Sequence, residues 1–197
     1  MNNFLLSFIP IFVAMDAIGI LPMFMGFTEH LKKHEKDKIV TQSIITAFVI
    51  GVIFLFLGKG IFGVLGVQVS DFKIAGGLVL IAVSLRDLLQ NEKGHKLPSD
   101  TMGAVPIGVP LVTGPAVLTT MIILLDSYGI GYTVSSFVVN LAIVWVTFRY
   151  SSRISAFIGK AGSKAASKIA SLLLTAIAVM MIRKGVIDTI TFFYVNK

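Results

Sequence analysis

Apolar residues fall in six long stretches, roughly Phe4 to Phe27, Ile39 to Leu57, Phe72 to Leu89, Met102 to Leu125, Thr133 to Tyr150 and Ile169 to Phe193. Short polar connections part them. A helix rises about 1.5 Å per residue, so about 20 apolar residues cross the hydrocarbon core of a bilayer. The pattern predicts six transmembrane helices and leaves little chain for a soluble body. The 197 residues are therefore read as one transmembrane domain, 1–197.

Two stretches are interrupted in ways that a plain spanning helix would not tolerate. Asp16 stands near the middle of the first, where a carboxylate at the bilayer centre costs about 2.5 to 3.5 kcal/mol on insertion scales. Gly19 and Pro22 follow it and supply a helix break, with Pro22 opening a second half-helix. The fourth stretch contains Pro106, Gly108, Pro110, Gly114 and Pro115 within eleven residues. Each proline removes a backbone donor and disfavours helix in the residue before it, so a regular helix cannot pass through. After this break Thr113 or Gly114 can cap, and Pro115 can take the first position of a half-helix running to about Leu125. Irregular backbone at that depth survives only inside protein or against a wet cavity, so the two breaks together imply a polar pocket.

The halves of the chain, about 1–95 and 96–197, each hold three of these stretches. Sparse matches recur at an offset of 95 residues: Lys73-Ile74-Ala75 with Lys168-Ile169-Ala170, Phe62 with Phe157, and Gly19 with Gly114. Three spans per half force the halves into opposite orientations. The fold class expected is an all-α membrane protein of six transmembrane helices in a 3+3 inverted-topology repeat, broken in helices one and four.

Composition agrees with a lipid solvent: 55% hydrophobic residues, 14% charged and a mean hydropathy of +0.90. The net charge of +7 would suggest nucleic acid in a soluble protein, but here the basic residues occupy loops and span ends. Twelve of the 17 Lys and Arg fall on the face that carries Lys32 to Lys38, Lys93, Lys96 and Arg149 to Lys168. That excess marks the cytoplasmic side and places both termini outside, with the first stretch retained rather than cleaved as a signal peptide. No nucleic-acid partner is expected.

Zero cysteines remove thiolate chemistry and disulfides. His30, His34 and His95 lie in loops without a metal motif, and Gly58-Lys59-Gly60 lacks the spacing of a phosphate loop. No cofactor, no metal and no enzymatic activity are expected. Asn140, Gln42, Thr46, Ser84, Thr119, Thr147 and Thr175 are read as interhelical hydrogen-bonding groups, Gly76-Gly77 as a point of close helix approach, and Arg86, Arg149 and Arg183 as anchors at span ends.

Asp16-Ala17-Ile18-Gly19-Ile20-Leu21-Pro22-Met23-Phe24 resembles the Asp-Pro-x-Gly-x-x-Pro-x-Phe signature of the MarC family of membrane proteins. Pro110-Leu111-Val112-Thr113-Gly114-Pro115-Ala116 is similar to its second signature, Pro-Leu-x-x-Gly-Pro-Gly, and Phe72 to Gly77 resembles the glycine pair of its third span. Ala17, Ile20 and Ala116 depart from the usual Pro, Asn and Gly. The resemblance implies a multi-pass inner-membrane protein that transports small neutral amino acids such as glycine, alanine and serine by alternating access.

The site would comprise Asp16, Gly19, Thr113 and Gly114, framed by the structural prolines Pro22, Pro110 and Pro115. Half-helix N-termini suit a carboxylate, and Asp16 or unwound carbonyls suit an ammonium. Residue type leaves Asp16 open between ammonium contact, a coupling ion (proton or sodium) and a simple helix cap. A non-transporting accessory protein or an intramembrane enzyme with a lipidic ligand is the competing expectation, and a homo-oligomer is left open.

Overall fold

The structure, a computed structural model, describes residues 2–29, 31–89 and 99–195. Helix α1 (Asn3–Met15) is opened by the Asn2 side chain, whose Oδ1 accepts the Phe4 N–H at 3.1 Å, and it contains Pro10. It stops where Asp16 turns left-handed, and α2 (Leu21–Thr28) resumes with Pro22 in its first turn. Helix α3 (Lys33–Leu65) ends at Gly66, whose φ of 65° is open to glycine at little cost. Helix α4 (Val69–Leu89) follows.

Beyond the short α5 (Ser99–Met102) comes an irregular, wide-turned segment, Gly103–Val112. Val105 and Val109 are extended there, as expected of residues that precede Pro106 and Pro110. Helix α6 (Pro115–Tyr128) leaves that segment at 55°. Gly129 then turns the chain into α7 (Ile130–Val195).

Helix α7 is not one straight rod. Phe148 stacks on Phe24 with centroids 4.2 Å apart, whereas Ala178 joins Met23 and Leu80 in a small buried cluster. Residues 148 and 178 would be about 45 Å apart along a straight helix at 1.5 Å per residue, yet they meet groups around consecutive residues of α2. The chain therefore folds back between them, giving an N-terminal arm along α1 and α3 and a C-terminal arm along α4.

The C-terminal arm runs antiparallel to α4 at backbone contact. A Cβ on Gly77 would lie 2.7 Å from the Ala178 carbonyl and 2.6 Å from Ile182 Cγ1; one on Gly185 would lie 2.7 Å from the Ser70 carbonyl and 2.6 Å from Ile74 Cγ1. These contacts are reciprocal: positions 70, 74 and 77 correspond to 178, 182 and 185, a constant separation of 108. This contact separation differs from the 95 at which Lys73-Ile74-Ala75 matches Lys168-Ile169-Ala170 in sequence, and it describes a local two-fold between two antiparallel helices.

Every apolar stretch expected to span is helical apart from the breaks. By length and composition, Lys33–Gly58 and Ile130–Ser151 can each cross a bilayer, and the bent pair Gly103–Val112 with Pro115–Tyr128 makes a third. The all-helical membrane architecture stands, with two or three such spans among the described residues rather than a demonstrated six. Large apolar side chains are exposed at helical spacing, as at Leu5, Ile9 and Val13 on α1 and Ile45, Val49 and Ile53 on α3. Such ridges suit lipid contact.

The interior holds one large apolar cluster drawn from α1, α2, α3, the irregular segment, α6 and the N-terminal arm of α7. Buried polar groups stitch α1 to that arm. Asn140 Nδ2 donates to the Phe8 carbonyl at 3.3 Å and the Ser136 carbonyl at 2.9 Å, while Ser136 Oγ donates to the Phe4 carbonyl at 3.4 Å.

Candidate functional site: two helix breaks

The first break is short and closed by its own acid. Asp16 sits at φ 44°, ψ 57°, a conformation that aspartate and asparagine tolerate better than other side chains. From there its Oδ1 accepts the Gly19 N–H at 3.1 Å, while its carbonyl accepts the Ile20 N–H at 3.0 Å. The carboxylate lies where a Gly19 side chain would begin, its Cγ 2.6 Å from that Cβ position, so only glycine leaves it room. The cap is real, and the carboxylate is nevertheless exposed.

Neighbouring residues of the break point in opposite directions. Ala17 and Ile20 are buried in the main cluster, whereas Ile18 is 73% exposed beside Asp16.

The second break is held from behind. Gly103, Gly108 and Thr113 step down α3 in register: a Gly103 Cβ would lie 3.0 Å from the Ile39 carbonyl, a Gly108 Cβ 3.1 Å from the Ser43 carbonyl, and Thr113 Oγ1 donates to the Ala47 carbonyl at 3.3 Å. Five residues of the irregular segment thus match four of α3, the pitch of a wide turn against that of an α-helix. The Thr113 N–H bonding to the Gly108 carbonyl at 2.9 Å shows the same five-residue turn.

Thr113 is fully buried, so its hydroxyl anchors the break to α3. Sequence reasoning missed this seat. Its signal is the equal spacing Gly103, Gly108, Thr113 opposite Gln42, Ser43 and Thr46.

Gly114 then caps α6 in extended conformation, with no side-chain hydrogen bond at that start. A Cβ there would lie 2.5 Å from the Pro110 carbonyl. Each break therefore pairs a glycine with an oxygen a few residues upstream, the Asp16 carboxylate in one and the Pro110 carbonyl in the other. The α6 start faces outward at Ala116 and inward at Val117.

Helix α1 packs on α6. Met15, Ala17 and Ile20 share the main cluster with Val112, Val117 and Met121. The structure thus sets both breaks around one apolar core, with Pro22 and Pro115 each in the first turn of its half-helix.

Charges elsewhere form ties. Asp37 pairs with Arg149, and Lys73 Nζ lies 2.7 Å from Asp188 Oδ2. Arg153 stacks over the Tyr150 ring at 4.9 Å. Among the described residues no three His, Asp or Glu side chains gather as a metal site. His30, His95, Lys93 and Lys96 lie outside the described residues.

A family model described as MarC family integral membrane protein matches residues 1–190. A UPF0056 membrane protein of Methanocaldococcus jannaschii is 29% identical over 199 residues, covering 94% of this chain and 97% of its own. One of Archaeoglobus fulgidus is 30% identical over 200 residues, covering 95% and 94%. The UPF0056 inner membrane protein YhgN of Escherichia coli K12 is 26% identical over 191 residues, covering 94% and 97%. No solved structure matches.

Proposed function

We propose, from the premise that this chain belongs to the MarC family of integral membrane proteins, that it is a secondary transporter of small neutral amino acids of the glycine, alanine and serine type. The observation that carries this is the pair of breaks: an exposed carboxylate at the first, and a half-helix start without a side-chain cap at the second. The two ends of a zwitterion match them. An uncapped helix start favours the substrate carboxylate, and Asp16, with one oxygen engaged by Gly19, favours its ammonium.

The same reading takes the six apolar stretches as six spans of an inverted repeat in an inner membrane, with both termini outside and the site near the midplane. Alternating access then moves helices about a stationary site. Coupling to a proton or to sodium would run through Asp16. The exposure of Ile18 beside Asp16 favours a second reading, a ligand with both an amine and an acyl chain lying along the outside of the first break.

Ligand-dependent stabilisation of purified protein tests the proposal. A ligand at 100 times its Kd stabilises by about 2.7 kcal/mol. Glycine, alanine and serine should raise the melting temperature, while ethylamine and propionate, which each lack one charged end, should not. Stabilisation by a long-chain amine and none by amino acids would replace this reading with the second.

A further inference from the structure

Resting on the transport reading, we propose that α4 and the C-terminal arm of α7 move as one rigid body against the rest of the molecule, bearing on both helix breaks as they do so. Three kinds of tie bind the pair along its length. Near one end Lys73 and Asp188 form an ion pair at 2.7 Å. At that same end Gly185, and further along Gly77, bring each backbone onto the other, at distances where any side chain would strike a carbonyl. Toward the other end Thr175 Oγ1 donates to Ser84 Oγ at 2.9 Å. Close glycine contacts of this kind hold helices together in lipid, where no hydrophobic force drives them to associate.

The buried core divides at the same boundary. Leu80 of α4 and Ala178 of the arm belong to a small cluster of their own, apart from the main one, and the only α2 residue buried with them is Met23. Phe27 and Leu111 pack against both clusters, so they form the seam. Gly76, the neighbour of Gly77, sits between the arm and the second break: a Cβ there would lie 2.8 Å from Pro115 Cγ and 3.1 Å from Met181 Cε of the arm.

The body therefore leans on α2, which follows the first break, and on Leu111 and Pro115, which flank the second. A well-packed pair transmits displacement as a unit, because packed interiors do not deform continuously. Motion of this body would reach both half-helix starts at once. Gly77 locks the pair and Gly76 lets Pro115 seat against it.

The chain has no cysteine, so introduced thiols have no background. Ser84→Cys with Thr175→Cys places two sulfurs where the oxygens are 2.9 Å apart, within reach of a disulfide after a small adjustment. In liposomes, the oxidised variant should take up labelled alanine within about twofold of its reduced form. Loss of uptake on oxidation, restored by reduction, would overturn the proposal.

Spin labels supply a measurement independent of the link. With alanine added, the distance between labels at Leu78 and Val179 should hold while that between Leu78 and Ile45 changes by several Å. Equal changes in both distances, or no change in either while the same liposomes take up alanine, would also overturn it. Absence of uptake by the unmodified protein would instead refute the transport reading.

Discussion

Replacing Asp16 separates its backbone role from its charge, because the structure assigns the two to different features of the residue. The left-handed conformation at φ 44° costs an ordinary side chain about 1 to 2 kcal/mol, a cost that asparagine largely avoids and glycine escapes. The Oδ1 bond to the Gly19 N–H at 3.1 Å is a cap that asparagine keeps and whose loss to alanine costs about 1 kcal/mol.

Asp16→Asn should therefore match the parent within about 0.5 kcal/mol, since both contributions survive. Asp16→Gly should also stay within about 0.5 kcal/mol of the parent, because glycine at a capping position costs only a few tenths of a kcal/mol and adopts the left-handed conformation freely. Asp16→Ala should fall about 2 to 3 kcal/mol, through loss of the cap and the left-handed penalty together. Thermal melts of the three proteins in one detergent, followed by size-exclusion fluorescence, give the order directly.

Asparagine and glycine both standing clearly above alanine is the signature of this geometry. An alanine variant as stable as asparagine would refute the left-handed cap. Given a stable Asp16→Asn protein, loss of gradient-driven accumulation with exchange retained assigns the charge to a coupling ion. Weakened amino acid binding without any gradient assigns it to the ammonium. Unchanged affinity and accumulation would leave Asp16 as a cap only.

Gly77→Ala should destabilise by about 1 to 3 kcal/mol, the usual cost of overpacking, whereas Gly60→Ala, with nothing within 4 Å of its Cβ position, should not; equal melts would refute the backbone contact. Asn140→Leu removes one interhelical bond, to the Phe8 carbonyl, besides the bond to Ser136 within its own helix, so a loss of about 0.6 kcal/mol is expected from the interhelical bond, and an unchanged melt would show that the α1 contact contributes nothing. A reporter active only in the cytoplasm, fused after Lys197, should stay silent, and activity there would reverse the assigned orientation.

Local chemistry was legible in the sequence wherever proline and glycine act on their own neighbours. Gly19 with Pro22, and Pro106, Pro110 and Pro115, marked both breaks, because a missing N–H or a missing Cβ acts whatever surrounds it. The left-handed turn at Asp16 was not legible, since it needs the following chain to bring Gly19 under the carboxylate. Nor was the anchoring of Thr113, because the Ala47 carbonyl becomes its partner only once the wide-turned segment lies on α3.

The contact register between α4 and the C-terminal arm was not legible for a related reason. Gly77 and Gly185 correspond through the surfaces they touch, and their flanking sequences share little beyond an isoleucine three residues earlier, Ile74 and Ile182. Gly76 and Gly77 looked like one feature. They serve two partners, Pro115 and the Ala178 turn, which one helix reaches by presenting successive residues to different faces.

Uptake of labelled glycine, alanine and serine by liposomes containing the purified protein, with proton and sodium gradients imposed in turn, tests the central claim most directly. Saturable uptake of at least one of the three, cross-inhibited by the others and not by ethylamine or propionate, is the predicted result. Liposomes carrying folded protein that admit none of them under any gradient, and show no exchange of preloaded alanine, would contradict it.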